Sequence, residues 1–199
     1  MVKLEDSRER VVPALMSYDV RELQAHYARY LFALPWCVNQ SVLDAACGVG
    51  FGTQLISNVA KAARGIDRCK EAVDYGWEKY GNERMFLLYG DVENMPFEDA
   101  QYDTVVSFET IEHLHHPVTF LRECSRVLKP NGLLMVSSPK GSGSIFHVEE
   151  YDRDQLHDLL VEADFVPERY WCQGPTLDIV ENGLPTWKCP THIFLAVKG

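Results

Sequence analysis

The chain has 199 residues, of which 46% are hydrophobic and 24% charged, a composition ordinary for one globular domain. Acidic residues outnumber basic ones 29 to 19, and the formal net charge is −10. This balance argues against nucleic acid as a partner, because proteins that grip phosphates present a basic surface, and it favours a small neutral or cationic ligand. No apolar run is long enough to span a membrane, and the charged segment Met1–Arg10 lacks the apolar core of a signal peptide. We therefore expect a cytoplasmic protein.

Six cysteines occur without any C-x-x-C pair. In a chain without an export signal this predicts reduced thiols. A weaker alternative places Cys172, Cys189 and His192 in half of a metal site.

Residues 1–17 are interpreted as an arm that covers the active site or frays. A helix should begin at Asp19, with Glu22 in capping-box register. Its apolar face recurs at helical spacing: Val20, Leu23, Tyr27, Leu31 and Leu34. His26 and Arg29 lie on the opposite face, which we expect to be solvated.

A glycine-rich turn follows the first predicted strand, Ser41–Ala46, and precedes a helix over 51–60. Gly48 and Gly50 permit positive φ and let a ligand approach the backbone. The turn reads G-x-G-x-G rather than the dinucleotide pattern G-x-G-x-x-G. Asp44, just before the glycines, would repel a pyrophosphate and attract a cation. The alternative is an ordinary turn between strand and helix.

The segment Asp44-Ala-Ala-Cys-Gly-Val-Gly50 resembles the first motif of class I S-adenosylmethionine-dependent methyltransferases. Within that class the chain resembles the type 11 methyltransferases. The resemblance implies S-adenosylmethionine as cofactor, with Asp44 facing its methionine end. It also implies an α/β fold: a doubly wound, Rossmann-like, seven-stranded sheet, mostly parallel with an antiparallel last strand, and helices on both faces. The implied cofactor contacts are Asp44, Ala45, Cys47, Gly48, Gly50, Asp67, Arg68, Asp91, Val92 and Phe108.

Asp67 ends the second predicted strand, 63–67, where an acid can accept both ribose hydroxyls of a nucleoside. The alternative role is an N-cap for the helix predicted over 69–79. Asp91 follows the third strand, 84–89, and by resemblance approaches the adenine amino group, with Val92 offering a backbone contact. An aspartate after a glycine is otherwise a common turn residue.

The fourth predicted strand, 102–108, delivers Glu109-Thr-Ile-Glu-His-Leu114 to the carboxyl edge, where open α/β sheets bind ligands. In a helical turn, Glu109 would reach Glu112 and His113 at i+3 and i+4. Glu-x-x-Glu-His is similar to the metal-binding segments of ubiquinone-pathway O-methyltransferases and small-RNA 2′-O-methyltransferases. That resemblance implies a divalent metal (Mg, Mn, Fe or Zn) held by Glu109, Glu112, His113 and His147. Without a metal, His113, Glu112 or His147 would be catalytic as acid or base, or the segment would only cap a helix.

The remaining elements complete the fold. A helix opens at Pro117, and the phrase Leu128-Lys-Pro-Asn-Gly-Leu-Leu134 resembles a structural hallmark of the same family. A fifth strand follows at 133–137, then a Gly/Ser loop over 138–146 and a helix capped by Asp152 and Gln155. Residues 165–173 and 192–198 are predicted to be two closing strands, and the family resemblance implies that they pair as an antiparallel hairpin.

We expect one methyltransferase domain over 1–199. Its parts are an arm and helix (1–38), a cofactor-binding core (39–173), a substrate-side insert (174–191) and a last strand (192–199). The predicted reaction is O-methylation of a small polar acceptor, saccharide-like by the resemblance of 25–30 to the first helix of polysaccharide-cluster methyltransferases. The alternatives are an RNA 2′-O-methyltransferase and a cofactor-binding subunit without catalysis. The chain is expected to be a monomer or homodimer.

Overall fold

The computed structural model describes residues 12–13, 20–182 and 189–199. The chain divides into two compact units, Met1–Val92 and Glu93–Gly199. The described residues form five α-helices and eight strands. In the first unit these are α1 (Val20–Ala33), β1 (Ser41–Ala45), α2 (Phe51–Ser57), β2 (Ala62–Asp67), α3 (Lys70–Tyr80) and β3 (Met85–Tyr89). In the second unit they are β4 (Tyr102–Ser107), α4 (Pro117–Val127), β5 (Leu128–Pro139), α5 (Arg153–Glu162), β6 (Phe165–Gln173), β7 (Ile179–Glu181) and β8 (Thr191–Lys198).

The first unit is a βαβαβ arrangement in which β2 pairs in parallel with both β1 and β3. Leu43, Ile66 and Leu87, one from each strand, are almost completely buried. The register Asp44↔Gly65 and Ala45↔Ile66 brings the carboxyl ends of β1 and β2 to the same edge. Acidic side chains that end these strands therefore gather there.

The second unit has the strand order β4-β5-β8-β6-β7. The pair β4–β5 is parallel, whereas β8 runs antiparallel to both β5 and β6. This confirms the predicted closing hairpin. Asp152 and Gln155 form the predicted capping box at the start of α5.

The strand count is eight, one more than the seven predicted. The additional strand is β7, three residues inside the predicted 174–191 insert that pair with the end of β6. Strand β5 also begins earlier than expected, since Leu128 pairs with Tyr102 across a register shift before Thr104 pairs with Leu133. A Pro-Asn-Gly sequence thus lies inside a bulged strand instead of preceding one.

The predicted solvated face of α1 is wrong. The side chain of Arg29 is only 2% exposed. His26 is half-buried, and burial together with the Arg29 charge lowers its pKa. Asp19, the expected cap, and most of the 1–17 arm lie outside the described residues.

The prediction that all cysteines are reduced thiols is also wrong for one pair. Cys172 on β6 and Cys189, just before β8, form a disulfide with their Cα atoms 5.5 Å apart. The β6–β8 register, with Cys172 opposite His192, brings the two residues together. Neither sulfur remains as a thiolate, so the alternative metal half-site with His192 does not form. Cys37, Cys47, Cys69 and Cys124 are free thiols.

No helix in the described ranges combines the length and the apolar composition needed to cross a membrane.

Candidate active site

The glycine turn after β1 leaves open space over its backbone. Gly48 and Gly50 both have positive φ, +56° and +76°. A Cβ added at Gly48 would meet nothing within 4 Å, whereas one at Gly50 would press on the Leu87 side chain at 2.7 Å. Gly50 is therefore required by packing. Gly48 leaves its backbone accessible to a ligand.

Asp67, at the end of β2, holds this turn in place. Its Oδ2 accepts a hydrogen bond of 2.9 Å from the backbone N–H of Gly48, and its Oδ1 accepts one of 2.8 Å from Cys69. The second bond is made to the residue that itself occupies the N-cap of α3, so Asp67 supports the start of the helix without being its cap, and the N-cap alternative is wrong. Carboxylate oxygens accept hydrogen bonds and are suited to hydroxyl donors.

Asp44 is buried and bonded from two sides. The Thr53 hydroxyl donates to its Oδ2 at 2.6 Å and the Tyr30 hydroxyl to its Oδ1 at 3.0 Å. Burial raises the pKa of Asp44 to about 7, although both hydrogen bonds favour the carboxylate, and the Asp67 charge raises it further. Each acid makes ionisation of the other less favourable, so a cation bound nearby would stabilise the charged forms of both.

Tyr30 and Thr53 are the two partners of Asp44 that sequence reasoning missed. The Tyr30 ring lies where a Cβ at Gly52 would be, and it packs edge-on against Phe51 with ring centroids 5.4 Å apart. Burial and the contact with Asp44 raise the pKa of the Tyr30 phenol well above its usual value. No motif in the sequence marks either hydroxyl as a partner of Asp44.

The other predicted cofactor residues fall into two groups. Ala45, Cys47 and Val92 are buried in the first unit, and Phe108 is buried just after β4 in the second unit. Arg68 and Asp91 are exposed.

In the second unit, the chain leaves β4 through Glu109, whose φ is +53°. The backbone N–H of Glu109 donates to the Ser137 hydroxyl at 3.0 Å, and that hydroxyl donates to Glu109 Oε1 at 2.7 Å. A single 3₁₀ turn, Ile111–His113, follows. Glu109 is thus directed to β5 and does not join the other expected metal ligands.

Glu112, His113 and His147 do come together. One potential ligand atom from each lies within 4.8 Å of the other two. Glu112 is fully buried, and His113 Nε2 lies 3.9 Å from its Oε1. The two imidazole rings meet edge to face, with centroids 4.9 Å apart and an angle of 83°. We call these three residues the EHH cluster.

Both histidines of the EHH cluster have their other ring nitrogen occupied. His113 Nδ1 lies 3.1 Å from the Phe146 carbonyl oxygen, and His147 Nδ1 lies 2.7 Å from Glu150 Oε1. The Ser142 hydroxyl also lies 3.1 Å from His147 Nδ1, but its proton is donated to Glu150 Oε1. Neither a carbonyl nor a carboxylate can donate, so Nδ1 carries the proton in each neutral ring. Nε2 then has the lone pair, which suits it to bind a metal or accept a proton.

Glu150 is ionised. Burial opposes its charge, but hydrogen bonds from the Ser142 side chain, His147 and the backbone of Ser142 and Gly141 lower its pKa to about 2.

An α/β fold with a glycine turn after one strand and acidic residues at the ends of two strands is typical of proteins that bind a nucleoside-containing cofactor. Residues 43–136 match the family described as a methyltransferase domain. The chain belongs to the class I S-adenosylmethionine-dependent methyltransferases, as its glycine motif predicts.

The relatives agree with this assignment. A protein of Mycobacterium tuberculosis named "Probable S-adenosylmethionine-dependent methyltransferase" is 37% identical over 79% of this chain and 60% of its own length. The ubiquinone biosynthesis O-methyltransferase of Rickettsia akari is 26% identical over 65% of this chain and 49% of its own length. This chain therefore spans less than two thirds of these relatives.

Solved structures confirm the fold. A SAM-dependent methyltransferase from Aquifex aeolicus has a TM-score of 0.68 at 21% identity, covering 86% of this chain and 88% of its own. The [4+2]-cyclase SpnF has a TM-score of 0.70 at 17% identity, covering 89% and 81%. The second likeness illustrates that the fold alone does not determine the reaction.

Proposed function

We propose that this chain transfers the methyl group of S-adenosylmethionine to a hydroxyl oxygen of a small polar molecule. In this proposal the glycine turn, Asp44 and Asp67 bind the donor, and the EHH cluster receives the acceptor. Family membership supports the donor. One observation carries the acceptor chemistry: two imidazoles and a carboxylate converge, and Nδ1 of each imidazole lies against an oxygen of another residue.

The donor is a sulfonium and, at its methionine end, an ammonium. The two carboxylates at the ends of β1 and β2 supply the opposite charge, and the pKa of Asp44 is poised to fall when a cation arrives. Asp67 holds Gly48 by a hydrogen bond, and a carboxylate at the end of this strand is suited to accept the ribose hydroxyls. The open space over Gly48 suits close approach of the ligand.

In the transfer step, the acceptor oxygen attacks the sulfonium methyl carbon, and the carbon–sulfur bond breaks as the carbon–oxygen bond forms. The hydroxyl must lose its proton, and S-adenosylhomocysteine leaves. The Nε2 lone pair of His113 or His147 can accept that proton. Glu112, adjacent to His113, stabilises the imidazolium that results.

The EHH cluster also fits a divalent metal. One carboxylate and two imidazoles are a donor set that suits Mn, Fe or Zn better than Mg, which prefers oxygen ligands. Glu112 and the Nε2 atoms of His113 and His147 would hold the ion. When bound, it would orient an acceptor hydroxyl and lower its pKa.

A saccharide-like metabolite is the acceptor class that we favour. The net charge of −10 disfavours a polyanion such as RNA. The Rickettsia relative is named as an O-methyltransferase, which is consistent with oxygen as the atom methylated.

The test combines purified chain, methyl-labelled S-adenosylmethionine and a panel of hydroxylated sugars and phenols, with RNA as a separate arm. Each arm is run with excess chelator and again after Mn, Fe or Zn is added back. We expect label in a small hydroxylated product. If the EHH cluster holds a metal, excess chelator should abolish transfer and the added ion should restore it. Transfer only to RNA would favour the RNA alternative, full activity in chelator would favour acid–base catalysis without metal, and donor binding without turnover would indicate a non-catalytic subunit.

A further inference from the structure

The Glu150 carboxylate collects four hydrogen bonds at the edge of the EHH cluster. Its Oε2 accepts from the backbone N–H groups of Gly141 and Ser142, the latter at 3.1 Å. Its Oε1 accepts from the Ser142 hydroxyl and from His147 Nδ1, the latter at 2.7 Å. The side chain of Glu150 is 16% exposed and that of His147 13%. The carboxylate is therefore largely shielded from water and occupied by protein donors.

These bonds close the Gly/Ser loop. Gly141 and Gly143 adopt positive φ, +77° and +67°, which lets consecutive N–H groups turn toward one oxygen. Lys140 Nζ donates to the Glu150 carbonyl at 2.8 Å and adds a second tie between the loop's ends. A glycine- and serine-rich segment that would otherwise have many conformations is thus fixed by one acid.

The same loop is attached to the turn that carries Glu112. The backbone N–H groups of Val148 and Glu149 donate to the Glu112 carbonyl at 2.8 Å and 3.2 Å. His147 is thereby held between two anchors, the Glu112 backbone and the Glu150 side chain. Its distance to the other cluster members is set by the loop, and its ring orientation is set by Glu150.

We propose that Glu150 is the positioning residue for His147, fixing the tautomer that carries its proton on Nδ1 and leaves the Nε2 lone pair for the EHH cluster. A neutral histidine otherwise exchanges between two tautomers, and one of them would direct N–H into the cluster. Carboxylates that accept from the remote nitrogen of a ligating or catalytic histidine fix its tautomer and raise its basicity. The proposal rests on the function proposed above for the EHH cluster.

The tautomer can be read directly on the free protein. Histidine-labelled protein is studied by long-range ¹H–¹⁵N spectra at increasing pH until the spectra no longer change, so that the neutral ring is observed. His147→Ala assigns the signal. We expect the Nδ1–H form in the native protein, a shift toward Nε2–H in Glu150→Ala, and partial retention in Glu150→Gln, whose carbonyl still accepts. Glu149→Ala, at the neighbouring exposed acid, should leave the signal unchanged.

An Nε2–H signal in the native protein, or no change in either Glu150 variant, would overturn the proposal. Should Glu150→Ala fail to fold by circular dichroism, Glu150→Gln alone decides, since its loss of charge should still change the tautomer population. In turnover, Glu150→Ala should lower kcat by about tenfold to a hundredfold at unchanged KM for the donor. Glu150→Ala should add no further loss to His147→Ala. If no acceptor is found, the tautomer measurement still tests the role of Glu150. If methyl transfer is observed but the tautomer of His147 is the same in the Glu150 variants, only the positioning role is excluded and the proposed function stands.

Discussion

The carboxylate of Asp67 accepts a 2.9 Å hydrogen bond from the backbone N–H of Gly48. The end of β2 therefore fixes the glycine turn that follows β1. Asp67, which is predicted to bind the ribose, therefore also holds the glycine turn. Loss of its side chain should remove the ribose contact and also release the turn.

Asp67→Ala should weaken binding of S-adenosylmethionine by about tenfold to a hundredfold, since hydrogen bonds to a charged group contribute roughly 1.5–3 kcal/mol each. Titration calorimetry measures the change. Asp74→Ala, which removes an exposed acid paired with Lys70 on α3, is the matched control and should bind normally. Unchanged affinity in Asp67→Ala would remove Asp67 from the donor site.

Gly48→Ala should fold and yet bind the donor poorly. The added Cβ meets no protein atom within 4 Å, so the folding cost is limited to positive φ, about 1 kcal/mol. Gly143→Ala is the control because it has a positive φ of +67° and the same open surroundings. If both variants bound the donor equally well, the space over Gly48 would not be a ligand site.

Asp44 should make the stability of the cofactor-free protein depend on pH. Its folded-state pKa of about 7 lies above the unfolded value of about 3.9, so the folded protein binds the proton more tightly. The stabilisation is fully present below the unfolded pKa and is lost as pH rises through about 7. Relative to Asp44→Asn, the native protein should lose up to roughly 1.4 kcal/mol per pH unit across that window, measured by urea unfolding. If the free energies of unfolding of the native protein and of Asp44→Asn changed in parallel with pH, Asp44 would lie in a solvated environment.

His113→Ala should lower turnover far more than donor affinity, because His113 belongs to the EHH cluster and not to the glycine turn. Initial rates with the best acceptor and calorimetry with the donor separate the two quantities. His157→Ala, an exposed histidine on α5, should retain both. Equal turnover in His113→Ala and native protein would exclude His113 from catalysis.

The Cys172–Cys189 disulfide should stabilise the second unit. It closes a segment with a sequence separation of 17, and loops of this size are worth about 3 kcal/mol in the free energy of unfolding. Cys172→Ser should show that loss in urea unfolding, with Cys69→Ser as the control at a free thiol. Alkylation of denatured protein without reductant should label four cysteines by mass spectrometry. Six labels would restore the prediction of reduced thiols.

Local signals predicted much of the fold. Strand β6 has the predicted bounds, Phe165–Gln173, and β1 differs from its predicted bounds by one residue. The capping box at Asp152 depends on residues three positions apart, which a sequence displays directly. The glycine motif is likewise a short run of neighbouring residues, and it predicted the class of the protein.

Features made by distant contacts were not predictable. The pairing of Cys172 with Cys189 depends on the β6–β8 register, and strand β7 exists because the insert folds back on β6. Arg29 is buried although its sequence position suggested a polar helix face. Glu150 was not predicted for a different reason: its donors Gly141, Ser142 and His147 are near it in sequence, but no motif spacing marks a loop that closes on one carboxylate.

Equilibrium dialysis of the purified chain against labelled S-adenosylmethionine, repeated with S-adenosylhomocysteine as competitor, tests the central claim. We predict saturable uptake of one donor per chain, displaced by the competitor and strongly reduced in Gly48→Ala. No uptake at millimolar donor would contradict the account of the glycine turn and of the reaction built on it.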